Sequence, residues 1–476
     1  MKTLEHLSGK NPTPLHTPLR APLRRSLGAL ALALTFGSSL SGLTQAQELT
    51  DPTMPQILDL DDRAATIDRW LRERLDTLIA PLMRREGVDM WILVAGEYDE
   101  DPVVKTMLPA TWLAARRTTI MIFHDRGEEA GVERMAVARY PVADLFPAAW
   151  NPEEQPDQWE RVAEIIRERN PKAVAINTSE DFPLADGLSA GMRRKLERAL
   201  GSLTERVVEN HNLAIGWLET RTESEMAAYP QLVRIAHAII AQMFSEATIT
   251  PGITTTEDLR WHLRQHVSDL GLDTWFHPSV HVQRASQSAF SIANMSLDEG
   301  DVVMPGDFLH VDFGITYLRL NTDTQHHAYI LRPGETEAPK GLRDGLAAAN
   351  KVQDALLATF KSGRSGNEML AEARRTIEAQ GIKGTIYTHP LGLHGHGAGP
   401  GIGMWDNQGP MKGARGVYPL RPNTAWSIEL NAEAPVPEWG DQQVRFMTEE
   451  DAFFDGETVR YLDGRQTEIT LIPRQQ

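Results

Sequence analysis

Phe308-Leu309-His310-Val311-Asp312-Phe313-Gly314 is an apolar run broken by one acid, Asp312, and closed by a glycine. Eleven residues after that acid comes Asp323, within Leu320-Asn321-Thr322-Asp323-Thr324. A lone carboxylate inside a strand is costly to bury unless it is paired or bound to a cation. A hairpin between Gly314 and Leu318 brings Asp312 and Asp323 onto one face, where two carboxylates repel unless one is protonated or a metal lies between them. Carboxylates on adjacent strands are a natural way to hold two divalent ions about 3.5–4 Å apart. Taken alone, the pair reads as turn capping or a surface pair of acids more readily than as a metal site.

Three further segments point the same way. His389-Pro390-Leu391-Gly392-Leu393-His394-Gly395-His396-Gly397-Ala398-Gly399 packs three histidines and four glycines into eleven residues. Glycine admits close backbone approach to a ligand, and neutral imidazole is the commonest transition-metal donor. Residues 394 and 396 would share one face of a strand. Ala425-Trp426-Ser427-Ile428-Glu429-Leu430-Asn431 sets an acid in an apolar strand, as at Asp312. In Val444-Arg445-Phe446-Met447-Thr448-Glu449-Glu450-Asp451-Ala452-Phe453-Phe454, acids again interrupt a strand-like run. Each segment alone reads as an edge strand or a polar loop. The order Asp, Asp, His, Glu, Glu on successive strands is what carries weight.

Composition narrows the chemistry. The chain has 476 residues, 65 acids, 48 Lys and Arg, a net charge of −17 and no cysteine. Without thiolates, any metal site must use His, Asp and Glu. The acidic balance argues against nucleic acid or anionic lipid as a partner.

The length suggests two domains behind a leader. Arg20, Arg24 and Arg25 precede the apolar stretch Leu27 to Phe36, and small and polar residues run to Ala46 and Gln47. That is the order of an export signal, with Arg24-Arg25 weakly suggesting the twin-arginine route. Residues 1–47 are therefore expected to be a signal peptide, and the mature protein to be periplasmic or secreted, with no membrane contact. Residues 48–217 read as an α/β domain. Ile67, Leu71, Leu75, Leu78 and Leu82 mark a helix ended by Gly87, and strands follow at 90–94, 118–123, 134–138 and 172–177. This half shows no catalytic constellation. Residues 218–476 read as an α+β domain, an antiparallel sheet with helices on one side. Thr222 caps a long helix with the buried stripe Leu232, Ile235, Ile239 and Met243.

The donor order and the spacing of the two aspartates resemble the family of methionine aminopeptidase, prolidase, Xaa-Pro aminopeptidase and creatinase, whose catalytic domain is the pita-bread fold. Val311-Asp312-Phe313-Gly314, Gly395-His396-Gly397, Ser427-Ile428-Glu429 and Glu450-Asp451 look like its ligand motifs. The smaller first domain looks like that of the creatinase and prolidase branch by layout.

The resemblance implies a peptide or small-molecule substrate, a homodimer and two divalent ions, Mn, Co, Zn or Fe. The implied ligands are Asp312, Asp323, one histidine, Glu429 and a final glutamate. His396 is favoured over His394 for its flanking glycines, and Glu450 over Glu449 because Asp451 follows it. Glu429 is the implied proton shuttle, with His394 and His326 as further catalytic candidates. His326 stands where the family usually has an arginine. The family's histidine about seventeen residues before the first aspartate is missing from Ser291-Ile292-Ala293-Asn294-Met295-Ser296. Creatinase-like hydrolysis of a non-peptide C–N or ester bond, and a non-catalytic binding module, are the other expectations.

Overall fold

The computed structural model describes residues 53–286 and 300–474. The expected leader and the stretch 291–296 lie outside the described residues. Strands Met90–Gly96, Thr118–Asp125, Val132–Val137, Val174–Ile176 and Val207–Glu209 form one mixed five-stranded sheet. The apolar run from Met90 is buried on both faces, as a strand covered by helices on both sides must be. Trp91, Leu93 and Phe123 pack toward helices Leu60–Thr77 and Ile79–Arg85, while Met90, Ile92 and Ile122 pack toward Gln158–Arg169 and Ala190–Leu200.

The helix expected from Thr222 is present. Thr222 accepts from the Glu225 backbone, and Glu225 returns the bond to the Thr222 backbone, which closes a capping box on helix Glu223–Met243. Glu225 also takes Arg74 of the first helix at 3.0 Å, with both side chains buried. One carboxylate thus starts a helix and ties the two halves together.

Strands Ser279–Gln283, Phe308–Phe313, Thr324–Ile330 and Thr470–Ile472 make a second sheet, antiparallel except for its last strand. Side chains alternate across it. Leu309, Val311, Phe313, Ala328 and Ile330 pack on helices Glu223–Met243 and Thr256–Asp269. On the opposite, front face, Phe308 and Tyr329 join Phe446 and the helix Lys340–Leu357 in a separate core. His310, Asp312, Gln325 and His327 share that front face by alternation and register.

Two long segments complete the domain, and each changes sheet midway. Thr424–Ser427 pairs with His389–Leu391 and Asp451–Phe454, whereas Leu430–Val436 pairs with Lys383–Ile386 and Gln442–Thr448. The ladders break at 428–429 and 449–450, and both breaks carry acids. The expected α+β class holds, with a mixed first sheet and antiparallel-dominated later ones.

Packing under this frame is tight. A Cβ on Gly345 would lie 2.1 Å from the Phe446 ring. Gly345→Ala is therefore expected to destabilise the chain by about 1–3 kcal/mol despite its better helix propensity. Urea unfolding reads this directly, and an unchanged midpoint would mean that the ring moves freely.

Candidate metal centre

Asp312 lies on strand Phe308–Phe313, paired with Gln325. Asp323 lies two residues before Gln325, so it continues the same face, as the hairpin reading expects. Its backbone N–H donates to both oxygens of Asp451 at 3.2 and 3.3 Å. From the facing sheet comes His389, whose partner across the ladder is Ser427. His389 Nε2 stands 3.6 Å from Asp323 Oδ2 and 3.6 Å from Glu449 Oε1. Asp323, His389 and Glu449 are all buried, and their donor atoms lie within 4.8 Å of one another.

Glu429 and Glu449 project from the two places where strands change sheet. Freed from a continuous ladder there, both reach the front face. Gln325 holds them together: its Nε2 donates to Glu429 Oε1 at 2.9 Å and to Glu449 Oε2 at 2.6 Å. Its own oxygen accepts from His310 Nε2 at 2.9 Å. Ser427 Oγ donates to the other oxygen of Glu449. A pocket of about 160 Å³ opens beside these groups, lined by His310, Asp312, Tyr387, Trp405, Glu429 and Asn431.

Several calls from the sequence are corrected by this geometry. The imidazole between the acids belongs to His389, not to His396 or His394. His396 stands next to it, edge-on, with ring centroids 4.7 Å apart. Trp275 also packs against the His396 ring, and it passes so close to Gly395 that a Cβ there would lie 2.2 Å from the indole. His394 is turned away against Arg221, and burial followed by that charge lowers its pKa to about 4. Burial likewise lowers His396 to about 4, so both rings are neutral at pH 7.

Glu449, not Glu450, joins the carboxylates. Glu450 points behind the sheet, where Oε1 meets His326 Nε2 at 2.9 Å and Oε2 meets His237 Nε2 at 3.1 Å. His326 therefore belongs to the back of the sheet and does not reach the acids of the front. His389, Gln325 and Asp451 were missed in the sequence. The signal for Gln325 was its position two residues after Asp323; that for His389 was a strand-like flank ending at proline.

The electrostatics are those of an unfinished site. Burial first, then Glu449, push Asp312 well above the usual carboxylate range. Burial and the acids Glu449, Asp312 and Glu429 do the same to Asp323. Glu429 is raised by burial, Glu449 and Asp312. Asp312 Oδ1, Asp323 Oδ1 and His389 Nε2 are buried with no hydrogen-bond partner among the described residues. Oxygen-rich donors with one imidazole, orphaned and mutually repelling, fit divalent transition ions.

Residues 231–456 match the model of metallopeptidase family M24. That segment has the pita-bread fold shared by creatinase, prolidase and methionine aminopeptidase. No curated protein sequence matches significantly. Among solved structures, the X-Pro aminopeptidase from Thermotoga maritima MSB8 superposes with a TM-score of 0.58 at 17% identity, covering 82% of this chain and 99% of that one. The Xaa-Pro dipeptidase from Bacillus anthracis gives 0.53 at 16%, covering 87% and 100%. A dipeptidase from Pyrococcus horikoshii OT3 gives 0.54 at 18%, covering 84% and 99%. At these identities the likeness establishes the M24 fold.

The raised carboxylates set a pH dependence. A group whose folded pKa exceeds its unfolded value stabilises below the unfolded value, and that stability is lost as pH rises through the folded one. Asp312, Asp323 and Glu429 all act in this sense. His237 does too: burial alone would lower it, but its bonds to Asp463 and Glu450 raise it to about 9. In chelator, the melting temperature should fall as pH rises from about 7 to about 9, above the range in which the depressed His394 and His396 contribute in the opposite sense. Divalent ions should reverse the fall. A flat calorimetric profile in chelator would show that these acids are not held together in the folded chain.

Proposed function

We propose that the protein is a dinuclear-metal aminopeptidase of Xaa-Pro type, releasing the N-terminal residue of peptides after export from the cytoplasm. Asp312, Asp323, His389, Glu429 and Glu449 are the proposed ligands. The observation that carries the reading is the convergence of His389 Nε2 with Asp323 and Glu449 at 3.6 Å, next to orphaned oxygens of Asp312 and Asp323. Two divalent ions bound there would supply Lewis acidity for a scissile carbonyl and acidify a water.

The chain's own groups do the rest. Gln325 fixes the angle between Glu429 and Glu449 by donating to both. Glu429, with its pKa pushed upward, can hold and return a proton at its carboxylate. Neutral His396 and the Tyr387 ring stand beside His389, where a substrate carbonyl or amide would approach. The pocket beside Asp312 and Glu429 has room for one small side chain. Proline preference is supported by the likeness to X-Pro aminopeptidase and Xaa-Pro dipeptidase structures.

A panel of peptides with and without proline at the second position tests the reading on the metal-loaded chain. Release of the first residue should depend on that proline; cleavage indifferent to it rejects the Xaa-Pro type. His389→Ala should lose bound metal and turnover together, whereas His396→Ala should keep its metal. Gln325→Leu should cost about 10–100-fold in metal affinity or activity. An intact affinity in His389→Ala would remove that ring from the site. Export is checked by the mature N-terminus of the protein recovered from its native host, expected near Gln47.

A further inference from the structure

Behind the sheet that carries Asp312 and Asp323 lies a second ionic cluster. His237 comes from helix Glu223–Met243, His326 from strand Thr324–Ile330, and Glu450 from the break before strand Asp451–Phe454. All three are buried, and one donor atom from each lies within 4.8 Å of the others. His237 Nε2 is 3.1 Å from Glu450 Oε2, and His326 Nε2 is 2.9 Å from Glu450 Oε1. The two rings are tilted with centroids 5.1 Å apart. His237 Nδ1 faces Asp463 Oδ2 at 3.1 Å. Asp463 is held in turn by Arg234 Nε at 2.9 Å.

A carboxylate that accepts from Nδ1 fixes the tautomer and directs the Nε2 lone pair at a metal; this is the recurring outer partner of metal-bound histidine. His326 presents Nε2 to the same carboxylate, so two imidazole nitrogens and one carboxylate converge. The two nitrogen-to-oxygen edges, 3.1 and 2.9 Å, are those of ligands about 2.0–2.1 Å from one ion. Two nitrogens and a carboxylate suit zinc, whereas magnesium and calcium favour all-oxygen shells. The location also differs from the front centre in chemistry. Glu449 and Glu450 are neighbours in the break between strands Gln442–Thr448 and Asp451–Phe454, and they meet partners on opposite sides of the sheet.

We propose that His237, His326 and Glu450 form a separate zinc site on the back of the sheet, with Asp463 as the outer partner of His237. The ion takes the place of the Nε2 protons that His237 and His326 otherwise give to Glu450: that of His237 goes to solvent, and that of His326 moves to its own Nδ1. Its role is to pin helix Glu223–Met243 to the strand that follows Asp323. The inference stands on its own atoms and does not depend on the hydrolytic reading of the front site.

The test counts zinc on the full chain by plasma mass spectrometry after dialysis. The unsubstituted chain should hold three equivalents. A chain with Asp323→Ala and His389→Ala should keep one. Adding His237→Gln and His326→Gln to that chain should remove it. No zinc on the Asp323→Ala, His389→Ala chain, or zinc retained after all four substitutions, overturns the proposal and leaves a plain hydrogen-bonded network. Should the fourfold variant misfold, cobalt added to the folded Asp323→Ala, His389→Ala chain decides. Visible d–d absorption of a nitrogen-ligated tetrahedral ion is expected, and its absence overturns the site. A single equivalent in the unsubstituted chain that is lost with His237→Gln but not with Asp323→Ala would instead sink the front site and keep this one.

Discussion

Buried negative charge is the constraint around which the catalytic half is organised. Asp312, Asp323, Glu429 and Asp451 are each buried or nearly so, and burial together with neighbouring acids, Glu449 among them, raises their pKa values. Burying even one ionised carboxylate costs several kcal/mol in a real protein interior. Five cannot be held by packing alone. The fold meets part of that cost with fixed donors: Gln325 to two glutamates, Ser427 to Glu449, and the Asp323 backbone to Asp451. The remainder requires protons or cations, and the orphaned oxygens and the bare His389 nitrogen are where cations would act.

Strand architecture makes the concentration possible. Two long segments leave one sheet and enter another at the positions of Glu429 and Glu449. A continuous ladder would bind those backbones and send neighbouring side chains alternately to core and solvent. The breaks let both acids reach the space between the sheets. The same break throws Glu450 backward onto His237 and His326, so one sheet edge serves two ionic centres on its two faces. The helix that supplies His237 is anchored at its start by Glu225, which also holds Arg74 from the first half of the chain. Local capping, domain contact and the rear cluster are thus linked along one helix.

Much of this was legible in the residues. The helix from Thr222 follows from its cap and its apolar stripe, and the capping partner Glu225 lay at the spacing that a capping box requires. The strand from Met90 was readable because an uninterrupted apolar run between turn signals suits a strand buried on both faces. Asp312 and Asp323 could be put on one face because the side-chain period of a strand is two and the intervening residues permit a hairpin. The short helix Pro102–Met107 and the helix His211–Glu219 had no comparably regular stripe and were not foreseen. The Gly-His-Gly around His396 drew attention for a sound reason, close backbone approach, but Trp275 rather than a metal uses the space at Gly395.

From its residues alone the chain determined the kind of site: no cysteine, so nitrogen and oxygen donors only, and acids placed inside apolar strands where they cannot remain without a counter-charge. Tertiary structure decided which donors meet. Adjacent residues of a strand face opposite sides, so the choice between Glu449 and Glu450, or among His389, His394 and His396, turns on register and on where a strand breaks. Those are set by packing between segments far apart in the chain, and no local pattern encodes them.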